Sequence, residues 1–101
     1  MSLTHGVLAL LTAKPGQEAD LAAFLEAGRD MAATEPGTRT WYAFQVDGST
    51  YGIFDTFEDE SARRAHLDGR IPAALAEVAD DLLASAPDIR LIDLVAVKDA
   101  A

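Results

Sequence analysis

The chain has 101 residues, half of them hydrophobic and a quarter charged, with 17 acidic side chains against 8 basic ones and a formal net charge of −9. That is enough for one domain over residues 1–101 and too apolar for a disordered chain. The acidic balance would repel a phosphate backbone, and no apolar run reaches the ~18 residues of a membrane span, so neither nucleic acid nor a membrane is expected as a partner.

Cysteine is absent, which excludes disulfides, thiolate metal sites and thiol nucleophiles. The N-terminus lacks a signal-peptide pattern, and a cytoplasmic protein is expected. His5 to Ala13 reads as strand one. Val7, Ala9 and Leu11 share one face and Leu8 and Leu10 the other, and Lys14-Pro15-Gly16 ends it. Gln17 to Thr34 is helical, with Leu21, Phe24, Leu25, Gly28, Met31 and Ala32 on one stripe and Pro36-Gly37 as its stop. Arg39–Val46 and Thr50–Phe57 read as two aromatic-rich strands. Between them Asp47-Gly48 suits a type I′ hairpin turn. Asp59–Leu67 is a short helix and Ile71–Ser85 a longer one. Ile89–Val97 is a fourth strand with apolar residues on both faces.

The order β-α-β-β-α-α-β predicts an α+β, ferredoxin-like split β-α-β fold with a four-stranded antiparallel sheet and helices on one face. The second face is then apolar and bare. A second copy packed sheet on sheet is the expected cover, so a homodimer through the sheet face and strand four is predicted.

Ala13-Lys14-Pro15-Gly16-Gln17-Glu18 after strand one, Glu35-Pro36-Gly37-Thr38 closing the helix, Tyr42 in the hairpin, and Phe57 to Leu67 with its Ala65-His66-Leu67 together resemble the antibiotic biosynthesis monooxygenase domain family, of the dimeric α+β barrel superfamily. The resemblance runs over about residues 5 to 97. It implies a dimeric α/β barrel and an oxygenase of aromatic polyketides or quinols that uses dioxygen without metal or flavin, hence no cofactor. Haem-degrading members use an asparagine, a tryptophan and a histidine. The polyketide oxygenases also place an asparagine and a tryptophan near the substrate. This chain contains no asparagine, and Phe57 stands at the end of strand three where many relatives carry tryptophan.

His66 is the candidate catalytic base. It shares a stripe with Ala62, Ala65 and Gly69, with Glu60, Arg63 and Arg64 largely elsewhere. A near-neutral imidazole can deprotonate a phenol or enol, and the electron-rich anion can meet dioxygen. The bland alternative is a histidine that packs and hydrogen-bonds a backbone carbonyl. Asp55, a carboxylate on the apolar face of Tyr51 and Ile53, is the alternative base, or else a structural partner of Arg39 or Arg90. Trp41, Tyr42, Phe44 and Tyr51 are candidates for binding a small aromatic or hydrophobic molecule, against an ordinary role in cross-strand packing. Strand alternation sends Trp41 and Tyr42 to opposite faces, which predicts that at most one of them borders a given pocket. His5 and His66 are too few for a three-histidine zinc site, so no metal is expected. The competing function is a non-catalytic dimeric barrel that binds a small hydrophobic ligand or serves a stress response.

Overall fold

The computed structural model describes residues 2–98. Its elements run β1 (His5–Thr12), α1 (Glu18–Ala32), β2 (Thr40–Gln45), β3 (Thr50–Phe57), α2 (Glu60–Leu67), α3 (Arg70–Leu82) and β4 (Asp88–Asp93). The four strands form one antiparallel sheet in the order β2-β3-β1-β4, the split β-α-β arrangement expected from the element order. The implied barrel is not there. The sheet is open, with β2 and β4 as unpaired edges, because four strands are too few to curl round and meet.

The register sorts the side chains. Val7, Ala9 and Leu11 of β1 stand beside Asp55, Ile53 and Tyr51 of β3, and all six are buried on the face that the helices cover. Leu21 and Leu25 of α1 and Leu75 and Leu82 of α3 close over them to make the core. The opposite face carries Leu8, Leu10, Phe44 and Phe54, each half-buried, and Tyr42, which is 58% exposed. On β4, Ile89 and Leu91 lie on the helix side yet remain exposed, beyond the reach of the helices.

Local chemistry sets the turns. Gly16 has φ +87°, a left-handed conformation that suits glycine. With Pro15 ahead of it, and Gln17 N–H donating to Lys14 O at 2.9 Å, it swings the chain from β1 into α1. The hairpin differs from expectation. A type I′ turn needs positive φ at its central residues, and among the described residues only Gly16 has it. The loop instead winds around the Asp47 carboxylate, whose Oδ1 accepts from the backbone N–H groups of Ser49 (3.0 Å) and Thr50 (2.8 Å). An aspartate that satisfies the loop's own amides removes the need for a mirror-image turn.

Two other boundaries moved. α3 stops at Leu82 rather than Ser85, because Leu83 turns extended and bridges to Ala13, with Ala84 N–H donating to Thr12 O at 2.8 Å. β4 ends at Asp93, and residues 94–97 leave the sheet although they are apolar enough to continue it. Asp59 caps α2, its Oδ1 accepting from Ala62 N–H at 2.8 Å. That cap starts the short helix at the end of β3 and sets which of its residues face inward.

Candidate functional site

α2 is rotated relative to the stripe expected for it. Its buried residues are Arg63 and His66, while Ala65 is exposed. Arg63 is no solvated charge. Its Nη1 donates to the carbonyls of Gly6 (3.2 Å) and Ile92 (3.0 Å), tying α2 to β1 and β4, and its Nη2 bonds Glu60. The chain's long aliphatic stem lies inside and the guanidinium finds acceptors, which is how an arginine is buried at tolerable cost.

His66 lies inside a three-member polar cluster. Its Nδ1 is 2.7 Å from Glu35 Oε1, and its Nε2 is 3.0 Å from Asp55 Oδ2. The histidine is 6% exposed and Asp55 1%. Thr38 Oγ1 donates to the same Glu35 oxygen at 2.7 Å, fixing the carboxylate, and the Phe57 ring lies 5.3 Å from the imidazole, centroid to centroid. The cluster joins three parts of the fold. Glu35 and Thr38 come from the α1–β2 connection, Asp55 from β3 and His66 from α2. Burial acts most strongly on the His66 imidazole and pushes its pKa down. The contacts with Asp55 and then Glu35 together outweigh burial, and the pKa ends above the usual histidine value. The two carboxylates thus favour the protonated imidazole more than water does.

The structure thus brings His66 and Asp55 into direct contact and gives Asp55 a partner that neither arginine supplies. Arg39 pairs with Glu58 at 3.1 Å and Arg90 with Asp88 at 2.9 Å. In the sequence Glu35 reads only as part of a helix stop. Its place in the chain, just before Pro36-Gly37 and 31 residues from His66, carries no periodic relation that could have flagged it. His5 stands apart, 3.8 Å from Glu60. Among the described residues no group of three metal-binding side chains is arranged to hold an ion.

Beside this cluster a groove of about 390 Å³ opens between α1 and the β2 edge. Trp41, Tyr42, Phe44 and Tyr51 all line it, with Arg29 and Glu26 of α1 also in its wall. Alternation does place Trp41 and Tyr42 on opposite faces of β2, yet both reach the groove. An edge strand has no neighbour on one side, so a groove along it can be reached from both faces. Trp41 connects groove and cluster. It is the direct cross-strand partner of Asp55, and its ring packs where α1 has Gly28, at which a Cβ would sit 3.2 Å from the indole Cζ2. His66 and Asp55 themselves do not line the groove.

Comparison with known proteins places this architecture. The family model described as antibiotic biosynthesis monooxygenase matches residues 4–78. A protein of unknown function from Nitrosomonas europaea is 45% identical, with 98% of this chain and 96% of that one covered and a TM-score of 0.94. Solved structures from Pseudomonas aeruginosa (21% identity, 95% and 98% covered, TM-score 0.81) and Mycobacterium tuberculosis (19%, 97% and 99%, 0.78) share the fold. No curated protein matches the chain.

Proposed function

The chain belongs to the antibiotic biosynthesis monooxygenase family, and on that premise we propose that it oxygenates a small phenolic, quinol or anthrone-like compound with dioxygen and no bound cofactor. The observation that supports this most is the aromatic-lined groove whose Trp41 wall is paired with a buried carboxylate–imidazole contact. Flat aromatic walls suit a flat aromatic occupant. A base that removes the acidic proton leaves an electron-rich anion, which dioxygen attacks. For an anthrone-like methylene, two hydrogens are lost, one oxygen atom is gained as a carbonyl, and the other leaves as water. In this reading the His66–Asp55 pair takes the proton, and Trp41, Tyr42, Phe44 and Tyr51 hold the ring.

A second reading has its own support. Both nitrogens of His66 face carboxylates and neither faces the groove, as a purely structural ion cluster under a non-catalytic ligand groove would have it. Oxygen uptake separates the two. Purified protein given anthrone or a substituted hydroquinone should consume oxygen. His66→Gln, which keeps a donor for Asp55 but cannot carry the proton, should slow uptake at least tenfold. No uptake across such a panel would leave the groove as a binding site only.

The bare sheet face supports a homodimer formed through Leu8, Leu10, Phe44 and Phe54, extended by Ile92 of β4. Sedimentation equilibrium should give twice the chain mass, and Leu8→Glu combined with Phe54→Glu should give the monomer. A wild-type monomer at micromolar concentration would remove this part of the reading.

A further inference from the structure

The α1–β2 connection, residues 33–39, lies against α2 with little to hold it there. A Cβ at Gly37 would sit 3.2 Å from that of Ala62, so the connection and the helix touch. Yet among the described residues no backbone hydrogen bond joins the two, and the polar ties between them all end on one atom. His66 Nδ1 is 2.7 Å from Glu35 Oε1 and 3.5 Å from Thr38 Oγ1. The second Glu35 oxygen reaches the α2–α3 junction, 3.4 Å from where Gly69 would carry a Cβ. Glu35 is the clasp of a strap.

The imidazole faces a carboxylate on each nitrogen, with Asp55 Oδ2 3.0 Å from Nε2. Protonated, it donates to both. Neutral, it keeps one N–H, and its other nitrogen presents a lone pair to a carboxylate oxygen. The two carboxylates differ in what they can do about that. Asp55 is buried and its Oδ1 is already without a partner, so losing His66 would strand a charge in the core. The Glu35 side chain is 22% exposed and can turn to water. The remaining proton therefore belongs on Nε2, and the repulsion falls on Glu35. Thr38 does not rescue it. If the Thr38 hydroxyl turns to the bare Nδ1, Glu35 also loses the O–H that it accepts at 2.7 Å. The other charges nearby are engaged or outside. Arg63, on the same helix, is bound to the Gly6 and Ile92 carbonyls and to Glu60. Arg39 is held by Glu58, His5 of β1 lies against Glu60, and Arg70 at the start of α3 is exposed.

We propose that the Glu35–His66 contact is a pH-operated clasp: when the imidazole loses its proton, Asp55 keeps the remaining N–H, Glu35 swings out to water, and the α1–β2 connection lifts from α2. Lifting bares the Nδ1 edge of a side chain that is 6% exposed while clasped. Glu35, Thr38 and His66 do not line the aromatic groove, so the switch needs neither a ligand nor a reaction.

The chain has two histidines, so ring ¹⁵N shifts can follow His66 alone and give both its titration midpoint and its neutral tautomer. Above the midpoint the tautomer should be Nε2–H. Amide hydrogen exchange follows the connection. The Thr38 N–H donates to Glu35 O at 3.2 Å, and its exchange should speed up about tenfold or more beyond the intrinsic effect of pH. Ala9, in a central strand of the sheet, should change only with global stability. Glu35→Gln keeps the shape and can donate to a bare Nδ1, so the Thr38 step should vanish while His66 still titrates. Glu35→Ala should leave the Thr38 amide fast at every pH. An Nδ1–H neutral tautomer would overturn the clasp. So would a Thr38 step that is absent in the wild type, unchanged in Glu35→Gln, or matched by Ala9, and so would an imidazole that keeps its proton until the chain unfolds.

Discussion

His66→Leu should lower the free energy of unfolding by about 3–5 kcal/mol, a large share of the roughly 5–15 kcal/mol that holds a domain together. The loss comes less from the contacts removed than from what they leave behind. Asp55 is 1% exposed and already has one oxygen without a partner, so losing His66 strands a whole carboxylate in the core. Glu35 is nearer solvent and keeps Thr38, so it suffers less. The test is a denaturant titration at neutral pH, with Asp55→Leu combined with His66→Leu as the partner variant. If the stranded charge is the cause, the double variant recovers much of the loss, because an apolar pair of similar volume often does as well as a buried ion pair. A double variant no more stable than the single one would locate the loss in packing against Phe57 instead.

The same cluster sets a pH dependence of definite sign. The His66 pKa is raised in the folded chain, so the folded state binds the proton more tightly than the unfolded state does. Its contribution to stability is fully present below the ordinary histidine value of about 6.5 and is lost as pH rises through the folded pKa. The wild type should therefore lose stability as pH rises above about 6.5. His66→Leu should not show this component.

Gly52→Ala should cost about 2–3 kcal/mol although it adds one methyl group. Gly52 lies in β3 opposite Phe44 of β2, and the Phe44 ring lies over it. A Cβ there would meet Phe44 Cζ at 2.3 Å, Cε1 at 2.7 Å and the Ala9 carbonyl oxygen at 2.9 Å. The ring can swing aside, but the carbonyl belongs to β1 in the middle of the sheet and cannot. Phe44 also lines the groove, so the substitution should change ligand affinity as well as stability. Phe44→Ala in the Gly52→Ala background should relieve only the aromatic part of the clash. Gly48→Ala is the matched control. Nothing lies within 4 Å of a Cβ at that position and its φ is not positive, so stability should stay within about 0.5 kcal/mol. An equal effect at both glycines would mean that chain entropy, not the cross-strand ring, governs position 52.

Much of the fold is legible in the residue order, for reasons of local physics. The period of Leu21, Leu25, Gly28 and Ala32 needs no tertiary knowledge to predict a helix. The alternation of Val7, Ala9 and Leu11 against Leu8 and Leu10 predicts a strand with two apolar faces, and the register bears it out. Where a side chain competes with the backbone, local rules lose. Asp47 replaced the expected turn by bonding the loop's amides, and the Leu83–Ala13 bridge ended a helix whose apolar period ran on.

The candidate site divides along the same line. His66, Asp55 and the aromatics could be singled out by residue type alone: an imidazole on a small-residue helix, a carboxylate on an apolar strand face, rings clustered on a hairpin. Their relations could not. The contact between His66 and Asp55 depends on the phase of an eight-residue helix, which is too short for periodicity to decide which side faces in. Glu35 enters from a loop with no pattern of its own, and the groove's reach to both Trp41 and Tyr42 depends on β2 being an edge strand. The elements, their order and the family resemblance are written in the residue order, because they follow from short-range patterning and turn chemistry. Which charges meet in the core is settled by packing, because strand order and helix phase depend on the whole chain.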